Sequence, residues 1–138
     1  EFQFAPHPGE PARPLRTIAS SGELARVMLA LKTVLAVEDS IPVLIFDEVD
    51  ANIGGETAHA VGERMRQIAD QRQVLCIPHL APVAALAQTH YVVSKAVIDG
   101  RTESNITPLD ANARVEELAR MLGGKSTAAR KHAEELLK

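Results

Sequence analysis

Val43-Leu44-Ile45-Phe46-Asp47-Glu48 is an apolar run that closes on two carboxylates. A run this short, with Pro42 before it and an acidic segment after it, reads as a β-strand over Pro42 to Phe46. It lacks alternation, as expected of a strand covered on both faces in an α/β sheet. A buried strand that ends in Asp-Glu can present one carboxylate to Mg²⁺, directly or through water, and a second that orients a water for in-line attack on a γ-phosphate. Asp47 takes the first role in that reading and Glu48 the second. By themselves, these residues also fit a core strand that happens to run into an acidic loop.

Upstream, residues Phe2 to Ala5 can finish a strand, and Pro6, Pro8, Gly9, Pro11 and Pro14 then predict an extended, irregular loop up to Ser20. From Gly22 to Val37 the residues Leu24, Val27, Met28, Leu31, Val34 and Leu35 recur at three- and four-residue spacing, which predicts an amphipathic helix with Ser20 or Ser21 as its N-cap. The helix start, Ser20-Ser21-Gly22-Glu23-Leu24, has two readings. Its free backbone N–H groups and positive dipole end suit a phosphate. Ser20 and Glu23 are equally well spaced for a capping box.

Downstream, Gly54-Gly55 precede a predicted helix running to about Asp70. A second apolar strand, Val74 to Ile77, runs into Pro78-His79, and a short helix follows Pro82. Thr89 to Val97 and Thr102 to Thr107 read as two strands around a type I′ turn at Asp99-Gly100, a hairpin that would end the sheet. Asp110 to Leu122 and Thr127 to Leu137 read as helices parted by Gly123-Gly124. The expected fold is therefore α/β: a mostly parallel sheet with flanking helices, then a terminal β-hairpin and more helices.

His79 lies just beyond a buried strand, one strand after Asp47-Glu48, where a ring nitrogen could donate to a γ-phosphate or to an attacking water; a capping or packing role is the plain alternative. Gly123-Gly124-Lys125-Ser126 ends like a phosphate-binding P-loop. The required first glycine would fall at Ala119, and the string follows a helix instead of a strand, so helix punctuation is expected there.

Composition narrows the field. With 138 residues one globular domain is expected, and with aromatics at only 3% and no Trp the core must be aliphatic. Base stacking is therefore a poor candidate mode of action. A formal net charge of −3 argues against nucleic-acid binding through the overall field and confines any such contact to a local patch. The single cysteine, Cys76, excludes an internal disulfide framework and reads as a small buried hydrophobe, in keeping with a reducing cytoplasm. Neither a membrane span nor a leader is expected.

Assembled in this order, the pieces resemble the C-terminal lobe of an ABC-type ATPase head, most closely that of the SMC-like branch serving bacterial DNA repair. The local matches are Pro8 to Pro11, Ser20 to Arg26 with Met28-Leu29-Ala30, Ile45 to Asp50, Gly54 to Ala58, Val74 to Ile77, and Arg114 to Gly124, so the likeness covers nearly the whole chain. The string Asp47-Glu48-Val49-Asp50 followed by Gly54-Gly55 is specific to that branch; transporters carry a different loop.

The resemblance implies that residues 1–138 form one lobe of a split P-loop NTPase head, with the Walker A lobe and a long coiled coil lying elsewhere. It implies ATP and Mg²⁺ as cofactors, Asp47 as the Mg²⁺ ligand, Glu48 as the catalytic carboxylate and His79 as the switch histidine. Ser20, Ser21, Gly22 and Glu23 would form the signature that touches the nucleotide of a partner head. Asp50, Asn52 and Gly54 would lie in a loop that crosses the dimer interface. The implied partners are the N-terminal Walker A lobe, a second copy of the head across sandwiched ATP, and DNA through the full-length protein, in the bacterial cytoplasm at the nucleoid. Two residues depart from the family pattern: Ser21 stands at the first glycine of Ser-Gly-Gly-Glu-Leu, and Pro78 stands where Thr usually precedes the switch histidine. They leave room for another expectation, a non-enzymatic lobe that binds a partner or DNA. A half head should also expose apolar surface that its other lobe would cover.

Overall fold

The computed structural model describes residues 3–5, 8–18, 20–35, 41–124 and 126–138. The chain divides into two compact units, Glu1–His79 and Leu80–Lys138. Expectations that touched Phe2, Pro6, the helix end at Val37 and Lys125 fall outside the described residues.

In the first unit β1 (Gln3–Phe4) pairs antiparallel with β2 (Arg13–Pro14), and α1 (Leu15–Ile18) follows at once. The irregular loop expected as far as Ser20 thus contains a strand pair and a helical turn. Pro14 explains both: it lacks an N–H, which suits a strand end, and its fixed φ suits entry into a helix. Its carbonyl also accepts a hydrogen bond from Thr17 Oγ1 at 2.7 Å.

The next helix, α2 (Ser21–Val34), begins at Ser20, whose side chain accepts from Glu23 N–H while the Glu23 side chain accepts from Ser20 N–H. The capping box is therefore formed. β3 (Val43–Asp47) and β4 (Gln73–Ile77) lie parallel, joined through α3 (Gly55–Ala69), with register running from Val43 opposite Gln73 to Asp47 opposite Ile77. A parallel pair needs such a crossover, and the amphipathic α3 supplies it, burying Ala58, Val61, Gly62, Met65 and Ile68 at three- and four-residue spacing.

One expectation needs correcting here. Leu44 and Phe46 are buried, but Ile45 keeps 68% of its surface and Ile77 58%, and Val43 and Leu75 are exposed as well. The β3 run is apolar throughout, yet α2 and α3 leave one face of the pair bare, so burial alternates where sequence does not. Val43, Ile45, Leu75 and Ile77 together make an exposed apolar face.

The second unit opens with α4 (Ala81–Ala85), which carries Pro82 in its first turn. β5 (Tyr91–Ile98) and β6 (Arg101–Pro108) then form a hairpin, with Asp99 at φ 49° and Gly100 at φ 75°, the two positive values that a type I′ turn requires. The hairpin was expected to end the main sheet; among the described residues it pairs only with itself.

α5 (Ala111–Met121) and α6 (Thr127–Leu136) are capped by Asp110 and Ser126, whose side chains accept from Ala113 N–H and Ala129 N–H. Gly123 and Gly124 both have positive φ, and Gly124 N–H returns to Ala119 O at 3.2 Å, so these glycines terminate α5 as punctuation. The unit's core is Ala81, Ala84, Ala85, Leu118, Ala119 and Ala133, small residues that let three helices approach closely around one leucine. Arg114 Nη2 donates to Ala85 O at 2.7 Å, holding the end of α4 against α5. Leu118 has no exposed surface, and Leu118→Ala is expected to destabilise this unit by about 2–5 kcal/mol, read as a lower urea midpoint. No helix among the described residues is long and apolar enough to cross a membrane.

Candidate functional site

Parallel pairing brings the C-terminal ends of β3 and β4 to one edge, since Asp47 stands opposite Ile77. Asp47 and Glu48 therefore leave the sheet beside Pro78 and His79. All three candidate side chains, Asp47, Glu48 and His79, belong to exposed residues.

Beyond Asp47 the chain turns sharply. Glu48 has φ 55°, a left-handed conformation that costs a non-glycine residue about 1 kcal/mol or more, and Ala51 N–H donates to Glu48 O at 3.0 Å to close the turn. Burial compensates: Val49 is 0% and Asp50 1% exposed. Asp50 Oδ2 accepts the backbone N–H of His79 at 2.8 Å, a charge-assisted bond that ties the end of β3 to the end of β4.

Asp50 was expected in a loop reaching toward a second head. Its side chain is buried and accepts from His79 N–H of its own chain. Asn52 and Gly54 of the same loop are exposed, and Asn52 is also left-handed at φ 59°.

The start of α2 sits on this turn. A Cβ at Gly22 would meet Glu48 O at 3.0 Å, Arg26 Nη1 at 3.1 Å and the Ala51 Cβ at 3.2 Å, so close approach of backbone to backbone requires glycine here. Four residues on, Arg26 Nη1 donates to Val49 O at 3.2 Å and to Ala51 O at 3.1 Å. Ser21 Oγ donates to Glu48 Oε2 at 2.5 Å. Of the four signature candidates, Ser21 and Gly22 thus lie against the Asp-Glu turn. Ser20 serves the cap, its Oγ accepting from Glu23 N–H at 3.3 Å and donating to Glu23 Oε2 at 3.0 Å.

Sequence reasoning missed two of these contributions. Arg26 was noticed only as part of a matching string, although its place one turn after Gly22 puts it on the same helix face. The Ser21 to Glu48 contact spans 27 positions, and no local pattern announces it.

Cys76 is half-buried where a buried residue was expected; burial first, then the nearby charges of Asp50 and Asp47, push its thiol up to about 12, far from thiolate reactivity. Among the described residues no group of three or more His, Cys, Asp and Glu side chains is arranged to hold a metal ion. Mg²⁺ does not require such a cage, since it is commonly held by one or two carboxylates together with phosphates and water. Exposed Asp47 at a strand end fits that use.

The fold is similar to that of SMC-type ATPase heads. A structure solved for the structural biochemistry of ATP-driven dimerisation and DNA-stimulated activation of SMC ATPases superposes with TM-score 0.56 at 18% identity, covering 86% of this chain and 70% of that one. The SMC head domain from Thermotoga maritima gives TM-score 0.51 at 27% identity over 75% of this chain and 38% of that one.

Within that class the sequence places the chain with the DNA repair protein RecN. It is 53% identical over 96% of its length to RecN of Xylella fastidiosa (strain Temecula1), 53% over 99% to that of Deinococcus radiodurans, and 41% over its whole length to that of Bacillus subtilis. The chain spans about a quarter of these relatives, 24% of each. No family model matches it.

Proposed function

We propose that the chain supplies one half of a composite ATPase head that binds and hydrolyses ATP through head-to-head pairing, in DNA double-strand-break repair and recombination. The observation that carries this reading is the gathering of the α2 start, Asp47-Glu48 and His79 around the end of one parallel strand pair. In this reading Asp47 would hold Mg²⁺, which when bound offsets charge on the nucleotide phosphates. Glu48 orients and deprotonates water, and His79 offers a ring nitrogen to the reacting phosphate or that water. Ser20, Ser21, Gly22 and Glu23 present a helix start to the nucleotide of a second head. Asn52 and Gly54 remain exposed for the interface between heads; Asp50 supports them from within.

The Walker A lobe of the same protein is the first partner, and the bare face of Val43, Ile45, Leu75 and Ile77 is the kind of surface a second lobe would cover. DNA is reached through the full-length protein, in the cytoplasm at the nucleoid. The chain alone is expected to be inactive, because Walker A lies outside it.

Mg²⁺-dependent ATP hydrolysis by the chain alone, then joined to a Walker A lobe, tests the proposal. Activity in the joined form only is the expected result. No activity in either form, with both folded, would favour a second reading, a partner- or DNA-binding lobe with a degenerate nucleotide site. The Ser21 hydroxyl engaged with Glu48, where the family motif has glycine, is the observation on that side. That reading predicts salt-dependent DNA binding indifferent to Asp47→Ala and to ATP.

A further inference from the structure

Glu48 is held in place twice over. Its backbone is seated on α2 by the close approach of Gly22 and by the turn that Arg26 clasps. Its side chain, exposed and with several rotatable bonds, has no such support from packing. Among the described residues, what holds it is one short hydrogen bond, Ser21 Oγ to Glu48 Oε2 at 2.5 Å, within the range of hydroxyl to carboxylate bonds that are roughly twice as strong as neutral ones. An exposed glutamate samples many rotamers; with one oxygen tied to a helix terminus it is confined to few, and Oε1 is left for another partner.

We propose that Ser21 is a positioning residue for Glu48, its hydroxyl orienting the carboxylate of its own chain. This rests on Glu48 being the catalytic carboxylate. A serine hydroxyl has one proton to donate, so while Ser21 serves Glu48 it cannot also donate to a phosphate held by a second head. Contact with that phosphate then falls to the other groups at the helix start. A glycine at position 21 has no hydroxyl, so this support belongs to chains that carry serine there.

The test uses a full-length RecN protein in which this chain supplies the corresponding segment. Single-turnover and steady-state ATP hydrolysis are measured for Ser21→Ala and Ser21→Thr, and for Ser21→Ala combined with Glu48→Asp, whose shorter side chain withdraws the carboxylate from Ser21. Ser21→Ala is expected to lower kcat about tenfold with KM moving less than about twofold, as for the loss of one charge-assisted bond that orients a reacting group. Ser21→Thr, which keeps the hydroxyl, should recover most of the rate, and Ser21→Ala should cost nothing further in the Glu48→Asp background. A raised KM with kcat held, an equal loss in both backgrounds, or no change at all would each overturn the assignment, the first two by showing that Ser21 acts elsewhere. Glu48→Gln separates the two levels. Normal turnover there would remove Glu48 from catalysis altogether, whereas an inactive Glu48→Gln beside a silent Ser21→Ala would remove only the role given to Ser21.

Discussion

Glu48→Gln, in a head completed by its Walker A lobe, should lower ATP turnover by roughly 10²–10⁴-fold, the usual contribution of a positioned general base. The substitution is nearly isosteric. Its amide oxygen can still accept from Ser21 Oγ, so the turn seated on Gly22 and Arg26 has no cause to move. What disappears is the capacity to take a proton from water. Pairing of heads should therefore persist and become longer-lived, because nucleotide is bound but not consumed. Phosphate release measured beside ATP-dependent dimerisation by sedimentation checks both halves of this expectation. Normal turnover, or loss of dimers together with turnover, would count against the assignment.

Asp50→Ala should cost about 1.5–3 kcal/mol of stability, the range for losing a hydrogen bond to a charged group. Asp50 is 1% exposed and accepts from His79 N–H at 2.8 Å, so truncation leaves that N–H without this partner and empties a buried site. Turnover should fall with it, since the same bond sets where His79 leaves β4. Asp50→Asn keeps an acceptor oxygen and should lie between the two. The urea midpoint and kcat, followed in parallel, decide the matter: an unchanged midpoint in Asp50→Ala would show that the bond does not hold the two strand ends.

Much of this was legible in the residues, and the reasons are specific. The α2 start was readable because Ser20 and Glu23 stand at capping-box spacing, a contact local enough for sequence to encode. Asp99-Gly100 announced its hairpin through the positive φ that the turn demands of both residues. The parallel β3 and β4 followed from two apolar runs separated by a helix-length segment. What sequence did not disclose is whatever depends on contacts between distant positions: Asp50 facing inward to His79 and Ser21 meeting Glu48. The proline-rich start misled for a different reason. Proline excludes helix interiors but favours helix entry, and Pro14 sits at an entry. Burial on β3 alternates because coverage depends on what packs nearby, which an unbroken apolar run cannot report.

The uncovered face of β3 and β4 bears on how a cell would handle this segment. Val43, Ile45, Leu75 and Ile77 form the kind of surface that holding chaperones and quality-control proteases recognise. Pairing at a sequence separation as large as that of Val43 and Gln73 is slow to form, and until it does these residues and the strand edges are open together. Separated from its other half, the segment should therefore be cleared, and cellular abundance, ahead of catalysis, becomes the first casualty of splitting the head.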